Sequence, residues 1–256
     1  MFVLRYRIVW FVAVISLTIL CSNISYAIRG GAKTNIEQVP WTVAVFTYPG
    51  EESLICGGAI LSEWFVLTAV QCVYDQKPDT IVVQYDTSNL LLERGKSDSY
   101  VSKVHLLRYR NETMDNDIAI LEFSRPLQLD QVKSKAAKLP SVEFDPMTGS
   151  EVLVSGYGDG QTMDPNDFQL NSANLTVISR EECQKKYTQK YISLQVFCAI
   201  KQDVYLESGD AGDPAVQNDT LVGVAVYFKD RAGGVPEVFT KVGSFVSWIE
   251  KIIKRK

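Results

Sequence analysis

The chain has 256 residues, 46% of them hydrophobic and 22% charged, which is the composition of a globular protein and not of a disordered one. Formal net charge is -4; the first 27 residues hold two Arg and no acid, so residues 28–256 carry 24 basic against 30 acidic side chains, net -6. A mildly acidic body argues against nucleic-acid binding, which needs a basic face, and a single His, His105, excludes any mechanism that needs two histidines.

The N-terminal segment reads as an address. Arg5 and Arg7 precede an apolar run over residues 8–21, 14 residues long. A membrane-spanning helix needs about 20, so the length fits a signal-peptide core better than the competing reading, an uncleaved anchor. Small residues at Ser25 and Ala27 match a signal-peptidase site. The expected organisation is a signal peptide over 1–27 and one folded domain over 28–256, with a secreted chain beginning at Ile28. No later stretch is apolar enough to cross a bilayer, and no membrane partner is expected.

Secretion gives the cysteines a use. Cys21 leaves with the signal, and Cys56, Cys72, Cys183 and Cys198 remain. An even number in an oxidising compartment predicts two disulfides, with three possible connectivities. Local pairing, Cys56 with Cys72 and Cys183 with Cys198, would close two loops of about 15 residues, each contributing roughly 3 kcal/mol in the chain-entropy model. A zinc site is the competing reading, but C-x2-C spacing is absent and His nearly so, and no metal or cofactor is expected. Asn111, Asn174 and Asn218 each open an Asn-X-Thr acceptor for N-glycosylation, which requires a surface position.

The body reads as strands. Short apolar or alternating runs over 41–46, 64–70, 80–85, 101–106, 117–123, 151–155, 175–178, 196–200, 221–228 and 237–242 are separated by Gly, Pro, Asn and Asp. Many short strands without regular intervening helices predict an all-β protein, a sandwich or barrels. Two helices are expected. Ser179 and Glu182 form a capping box opening a short helix that carries Cys183. Phe245, Trp248, Ile249, Ile252 and Ile253 follow the helical period, so one face of a C-terminal helix docks on the body. Lys251, Lys254, Arg255 and Lys256 form a tail read as solvated charges that complement the negative end of that helix's dipole, the competing reading being a basic binding patch.

Eight segments in order resemble the chymotrypsin-like serine proteases: 28–31 (IRGG), 40–44 (PWTVA), 56–59 (CGGA), 64–72 (WFVLTAVQC), 115–121 (DNDIAIL), 156–158 (GYG), 209–214 (GDAGDP) and 240–242 (TKV). Together they span essentially all of 28–256. The resemblance implies two six-stranded antiparallel β-barrels with a cleft between them and a C-terminal helix. It also implies a Ser nucleophile, a His that takes its proton and an Asp that orients the His. The His position, just before the second cysteine of 64–72, is occupied by Gln71. The Ser position in 209–214 is occupied by Ala211, and the second Gly of that motif is Asp213. Of the three, only the Asp is present, as Asp117.

Alanine has no nucleophilic atom, and a glutamine amide is not a base near neutral pH. His105 lies on the strand leading to Asp117, remote in the family's fold from the nucleophile. Loss of one triad member can cost about 2 × 10⁶ in turnover, and loss of a second adds little, because the members act as a unit. An oxyanion-hole remnant is expected at Gly209 and the Ala211 N–H. An engineered Ser→Ala change would account for Ala211 but not for Gln71 or for the pocket. There, Tyr205 stands where trypsin-like members carry an acid, followed by Leu206, and Glu207 replaces a pocket cysteine. Val226, Tyr227 and Phe228 replace the specificity strand, and Glu237 replaces a wall glycine. The substrate pocket is therefore expected to be filled by Tyr205, Leu206, Tyr227, Phe228 and Glu237. The Gln71 side chain is expected to donate to the stranded Asp117 carboxylate. The resemblance also implies an N-terminal ion pair between a freed Ile28 amine and Asp210.

Within the family, the segments IRGG and PWTVAVF, the missing Ser and the blocked pocket look like the scabies mite inactivated serine protease paralogues, relatives of mite group 3 allergens. That resemblance implies an inactive, gut-secreted, faecally released protein, acting as a monomer, that interferes with host complement by binding plasma components. A cryptic enzyme and an allergen or decoy without a specific partner are the alternatives.

Overall fold

A computed structural model of the chain describes residues 27–48, 54–93, 97–110, 113, 115–160, 165–188, 191–226 and 235–256. The signal peptide expected over 1–27 lies, but for Ala27, outside the described residues, as do the acceptor Asn111, Tyr227 and Phe228.

Among the described residues, thirteen strands follow in chain order: β1 (Ala32–Lys33), β2 (Thr42–Thr47), β3 (Leu54–Ser62), β4 (Phe65–Thr68), β5 (Ile81–Gln84), β6 (Asp98–Leu106), β7 (Ala119–Phe123), β8 (Glu151–Gly156), β9 (Asn171–Ile178), β10 (Val196–Ile200), β11 (Pro214–Gln217), β12 (Thr220–Val226) and β13 (Glu237–Lys241). The helices are α1 (Val70–Val73), α2 (Arg180–Lys186) and α3 (Val246–Ile253). Strands β2-β3-β4-β7-β6-β5 close a first antiparallel barrel. Strands β9-β10-β13-β12-β11-β8 close a second, because β8 also pairs with β9, and β1 extends it at β9. Closure leaves no exposed sheet edge within either barrel.

The strand pattern explains the interiors. Along β9, Asn171, Ala173, Leu175 and Val177 are buried while Asn174 and Thr176 face water, the period of two expected of a wall with one wet side. Asn174 is thus exposed, and so is Asn218 in the turn between β11 and β12. Cys56–Cys72 ties β3 to α1, and Cys183–Cys198 ties α2 to β10, so both local pairings are present.

The capping box forms as expected. The Ser179 Oγ accepts from the Glu182 N–H at 3.2 Å, and the Glu182 carboxylate accepts from the Ser179 N–H at 3.1 Å. The amphipathic helix α3 also forms, but it follows the last strand of the second barrel and packs on the first. Phe245, Ile249 and Ile252 share one buried cluster with Ile60, Phe65, Leu121 and Phe123. The Lys256 ammonium lies 4.3 Å from the Trp64 ring centroid, 3.1 Å from a Glu122 carboxylate oxygen and 2.8 Å from the Phe123 carbonyl oxygen. Lys256 is therefore a tether and not part of a solvated tail.

Several elements depart from the sequence reading, among them the two-residue strand β1 and the one-turn helix α1, which it did not contain. Strand β3 contains Gly57 and Gly58, which weaken strand propensity, and it was not expected. Strand β11 is four residues long and opens on Pro214. The run 64–70 ends as a strand at Thr68, because Val70 begins α1.

Candidate functional site

The site residues lie where the two barrels meet. Thr42 of the first barrel and Ser155 of the second share a buried hydrogen bond of 2.6 Å. The segment after a 3-10 turn at Ser208–Asp210 enters between the barrels, and the Ala211 carbonyl accepts from the Gly57 N–H at 2.8 Å. The Cys72 sulfur is 3.4 Å from the same carbonyl oxygen. Asp117 arrives just ahead of β7 with 0% exposure, and its carbonyl accepts from the Thr240 hydroxyl at 2.9 Å. Gln71, Asp117 and Ala211, far apart in sequence, thus converge on one seam.

Their chemistry is not that of an acid–base pair. The Asp117 Oδ1 accepts from the backbone N–H of Gln71 at 3.0 Å, and its Oδ2 has no hydrogen-bond partner. This corrects the expectation for Gln71: the main chain, and not the side-chain amide, satisfies Asp117. Burial pushes the Asp117 carboxyl up to about 7, only partly opposed by that N–H donor. A raised folded-state value means that the native state holds the proton more tightly than the unfolded chain. Stability from this group is complete below the unfolded value of 3.8 and is lost as pH rises toward 7. Asp117→Asn should equal the parent near pH 4 and exceed it near pH 8 by up to about 4 kcal/mol, read by urea unfolding at the two pH values.

The backbone donors are also committed. Ala211 N–H turns back onto the Ser208 carbonyl at 3.4 Å, closing the 3-10 turn. The expected oxyanion remnant is corrected accordingly: one of its two donors is engaged inside the turn. Gly209 is pressed against the neighbouring loop, where a Cβ would lie 2.1 Å from Asp159 N.

The expected pocket residues divide. Leu206 and Glu237 come together, both buried, with the Leu206 N–H donating to a Glu237 carboxylate oxygen at 3.2 Å. Tyr205 is half-buried and pairs with Arg29, its N–H donating to the Arg29 carbonyl at 2.9 Å. Glu237→Ala should destabilise the fold by about 1–3 kcal/mol, since it removes a buried carboxylate that accepts from the Leu206 N–H; a denaturant midpoint unchanged from the parent would contradict this. Ile28 and Asp210 also meet: the Ile28 N–H lies 3.1 and 3.2 Å from the two Asp210 oxygens, and Glu207 N–H donates to the same carboxylate at 2.8 Å.

The sequence reading missed the role of Asp213. It has 0% exposure, and neither carboxyl oxygen has a hydrogen-bond partner. It was seen only as a departure from the family's Gly, although a carboxyl substituted into a buried glycine position was the available signal. Among the described residues, no cluster of three or more His, Cys, Asp or Glu side chains is placed to hold a metal ion. No helix among them is long and apolar enough to cross a membrane.

A model of the trypsin family matches residues 28–249. The chain belongs to the trypsin family. It is 70% identical to the scabies mite inactivated protease paralogue S-I1, whose structure superposes with a TM-score of 0.86 and covers 88% of this chain and 99% of that one. Scabies mite inactivated protease paralogue S-D1 is 40% identical, with a TM-score of 0.81 over 89% of this chain and 97% of that one. Trypsin Tyr p 3.0101 of Tyrophagus putrescentiae is 38% identical over 77% of this chain and 72% of its own length. Likeness to two inactivated paralogues supports a catalytically inactive member of the family.

Proposed function

We propose that this trypsin-family protein is secreted, lacks catalysis and works by binding. Its partners are host plasma proteins of a proteolytic cascade, complement components foremost. The observation that carries the reading is Ala211: the position that the family's motif gives to the nucleophile ends at a methyl group, so no acyl-enzyme can form there. Gln71 at the proton acceptor's position, the engaged Ala211 N–H and the Glu237–Leu206 contact each disable a separate requirement. Secretion is supported by the N-terminal segment and by two disulfides, bonds that persist in oxidising compartments. A rigid pair of barrels presenting surface loops is a suitable binding scaffold.

The test is a plasma pull-down with the full chain, expressed through a secretory pathway. A fluorophosphonate label and an ester-hydrolysis assay run on the same material. Specific capture of complement components, inhibition of complement lysis and no labelling are expected. Inhibitor-sensitive turnover would favour a cryptic enzyme, and absence of any specific plasma partner would favour a decoy.

A further inference from the structure

Asp213 presents a physical problem that the binding reading does not use. Its carboxyl sits between two glycines, one from each barrel. A Cβ at Gly57 of β3 would lie 1.8 Å from its Oδ1, and a Cβ at Gly156 of β8 would lie 1.8 Å from its Oδ2. Both distances are far inside van der Waals contact, so a Cβ at either wall would displace this side chain from its present place. The main chain holds it in place: Asp213 N–H donates to the Asp210 carbonyl at 3.1 Å, and its own carbonyl accepts from Ala225 N–H at 2.9 Å.

No N–H or O–H donor reaches either carboxyl oxygen. An ionised carboxylate in such a place carries a desolvation cost that nothing offsets. The neighbouring titratable group is Asp210, three residues earlier, whose carbonyl accepts the Asp213 N–H at 3.1 Å and whose charge acts on the Asp213 carboxyl. Two carboxyls can hydrogen-bond only if one keeps its proton. Asp210 is the better ionised partner, because it accepts from Ile28 N–H and Glu207 N–H, whereas Asp213 accepts from neither.

We propose that Asp213 is retained as a neutral carboxylic acid whose proton is shared with the Asp210 carboxylate, so that the contact between the barrels is a latch favoured by acid. Ionising Asp213 would require water to enter between Gly57 and Gly156, which loosens the same segment that carries Asp210 and its bond to Ile28.

The surroundings reinforce the direction. Burial, and then the Asp210 charge, hold the Asp213 carboxyl well above the usual carboxylate range. Glu237 and Glu207 face Asp210 and add negative charge, while Arg29 lies 3.9 Å from Glu207 and half-exposed, away from the pair. Tyr157, buried beside β8, is neutral at any relevant pH, its hydroxyl pushed far up by burial, and it donates to the Thr87 carbonyl at 2.7 Å. The Ile28 nitrogen faces Asp210. A group with a raised folded-state value contributes stability that is present below the unfolded value and lost as pH rises.

The test is urea unfolding of the disulfide-intact full chain between pH 5 and pH 8, comparing the parent with Asp213→Asn and Asp213→Gly. One retained proton should make the parent's unfolding equilibrium constant rise about tenfold per pH unit faster than that of either variant. The buried Asp117 and Asp210 carboxyls, each pushed up to about 7 by burial, are present in all three proteins, so their own burial cancels in the comparison. Both variants should be more stable than the parent at pH 8. Asp213→Gly restores a residue smaller than the site, so it provides the readout should the amide of Asp213→Asn disturb folding. Parallel pH profiles for parent and variants would overturn the proposal, as would variants less stable than the parent at pH 8.

Discussion

Restoring the two missing triad groups, Gln71→His with Ala211→Ser, should not restore an active enzyme. Hydrolysis of fluorogenic peptide substrates is expected to stay more than about a thousandfold below that of an active trypsin-family protease. A His at position 71 would find Asp117 close by, since the Gln71 N–H already bonds that carboxylate. The remaining deficits are elsewhere. The Ala211 N–H is engaged with Ser208, and removal of one oxyanion donor alone costs about 10²–10³ in turnover. Glu237 lies buried against Leu206, at the position that the family resemblance assigns to the pocket wall. Recovery to within tenfold of an active relative would mean that inactivity rests on positions 71 and 211 alone. The same variant tests whether the inactive state is overdetermined, as the separate substitutions imply.

Asp210→Ala should be among the most damaging single substitutions, at about 3–5 kcal/mol, measured by denaturant unfolding of protein whose N-terminus is Ile28. Asp210 has 0% exposure and accepts from two buried N–H groups, one of them that of Ile28. Burial pushes its carboxyl up to about 7 when the Ile28 nitrogen is part of a peptide bond. A freed α-ammonium at the same place would supply the missing cation and favour the carboxylate. Ile28 also adopts a φ of 44°, which is unfavourable for a β-branched residue, and cutting the bond to Ala27 removes that constraint. Protein retaining residues before Ile28 should therefore lose much less on the same substitution. Equal losses in the two forms would show that the N-terminal ion pair does not form.

How much of this was legible depends on whether the signal was local. The capping box at Ser179 and Glu182 is four residues of chemistry, and it folds as read. Spacing along α3 told which face is buried, the order of eight short motifs told the architecture, and cysteine spacing offered the local disulfide pairing as one of three connectivities. Strand β3 was hidden because Cys56-Gly-Gly reads as a turn. Those glycines serve packing: Gly57 makes room for Asp213, and a Cβ at Gly58 would lie 2.9 Å from the Val43 side chain. Gln71 was misread for a related reason. Its residue type advertises a side-chain amide, whereas the group in contact with Asp117 is the peptide N–H that every non-proline residue carries. The replacement of the motif's glycine by Asp213 was visible in one dimension, but its surroundings were not, because its walls are contributed by positions 57 and 156, one from each barrel.

The crossing of α3 has a consequence for how the molecule comes apart. A helix grown from the second barrel joins Phe245, Ile249 and Ile252 to a buried cluster shared with residues of the first, and Lys256 is clamped between Trp64 and Glu122. Neither half can shed its structure while the other stays intact without exposing that shared oil. The pair should melt in a single calorimetric event, and a partner that grips either half will hold both.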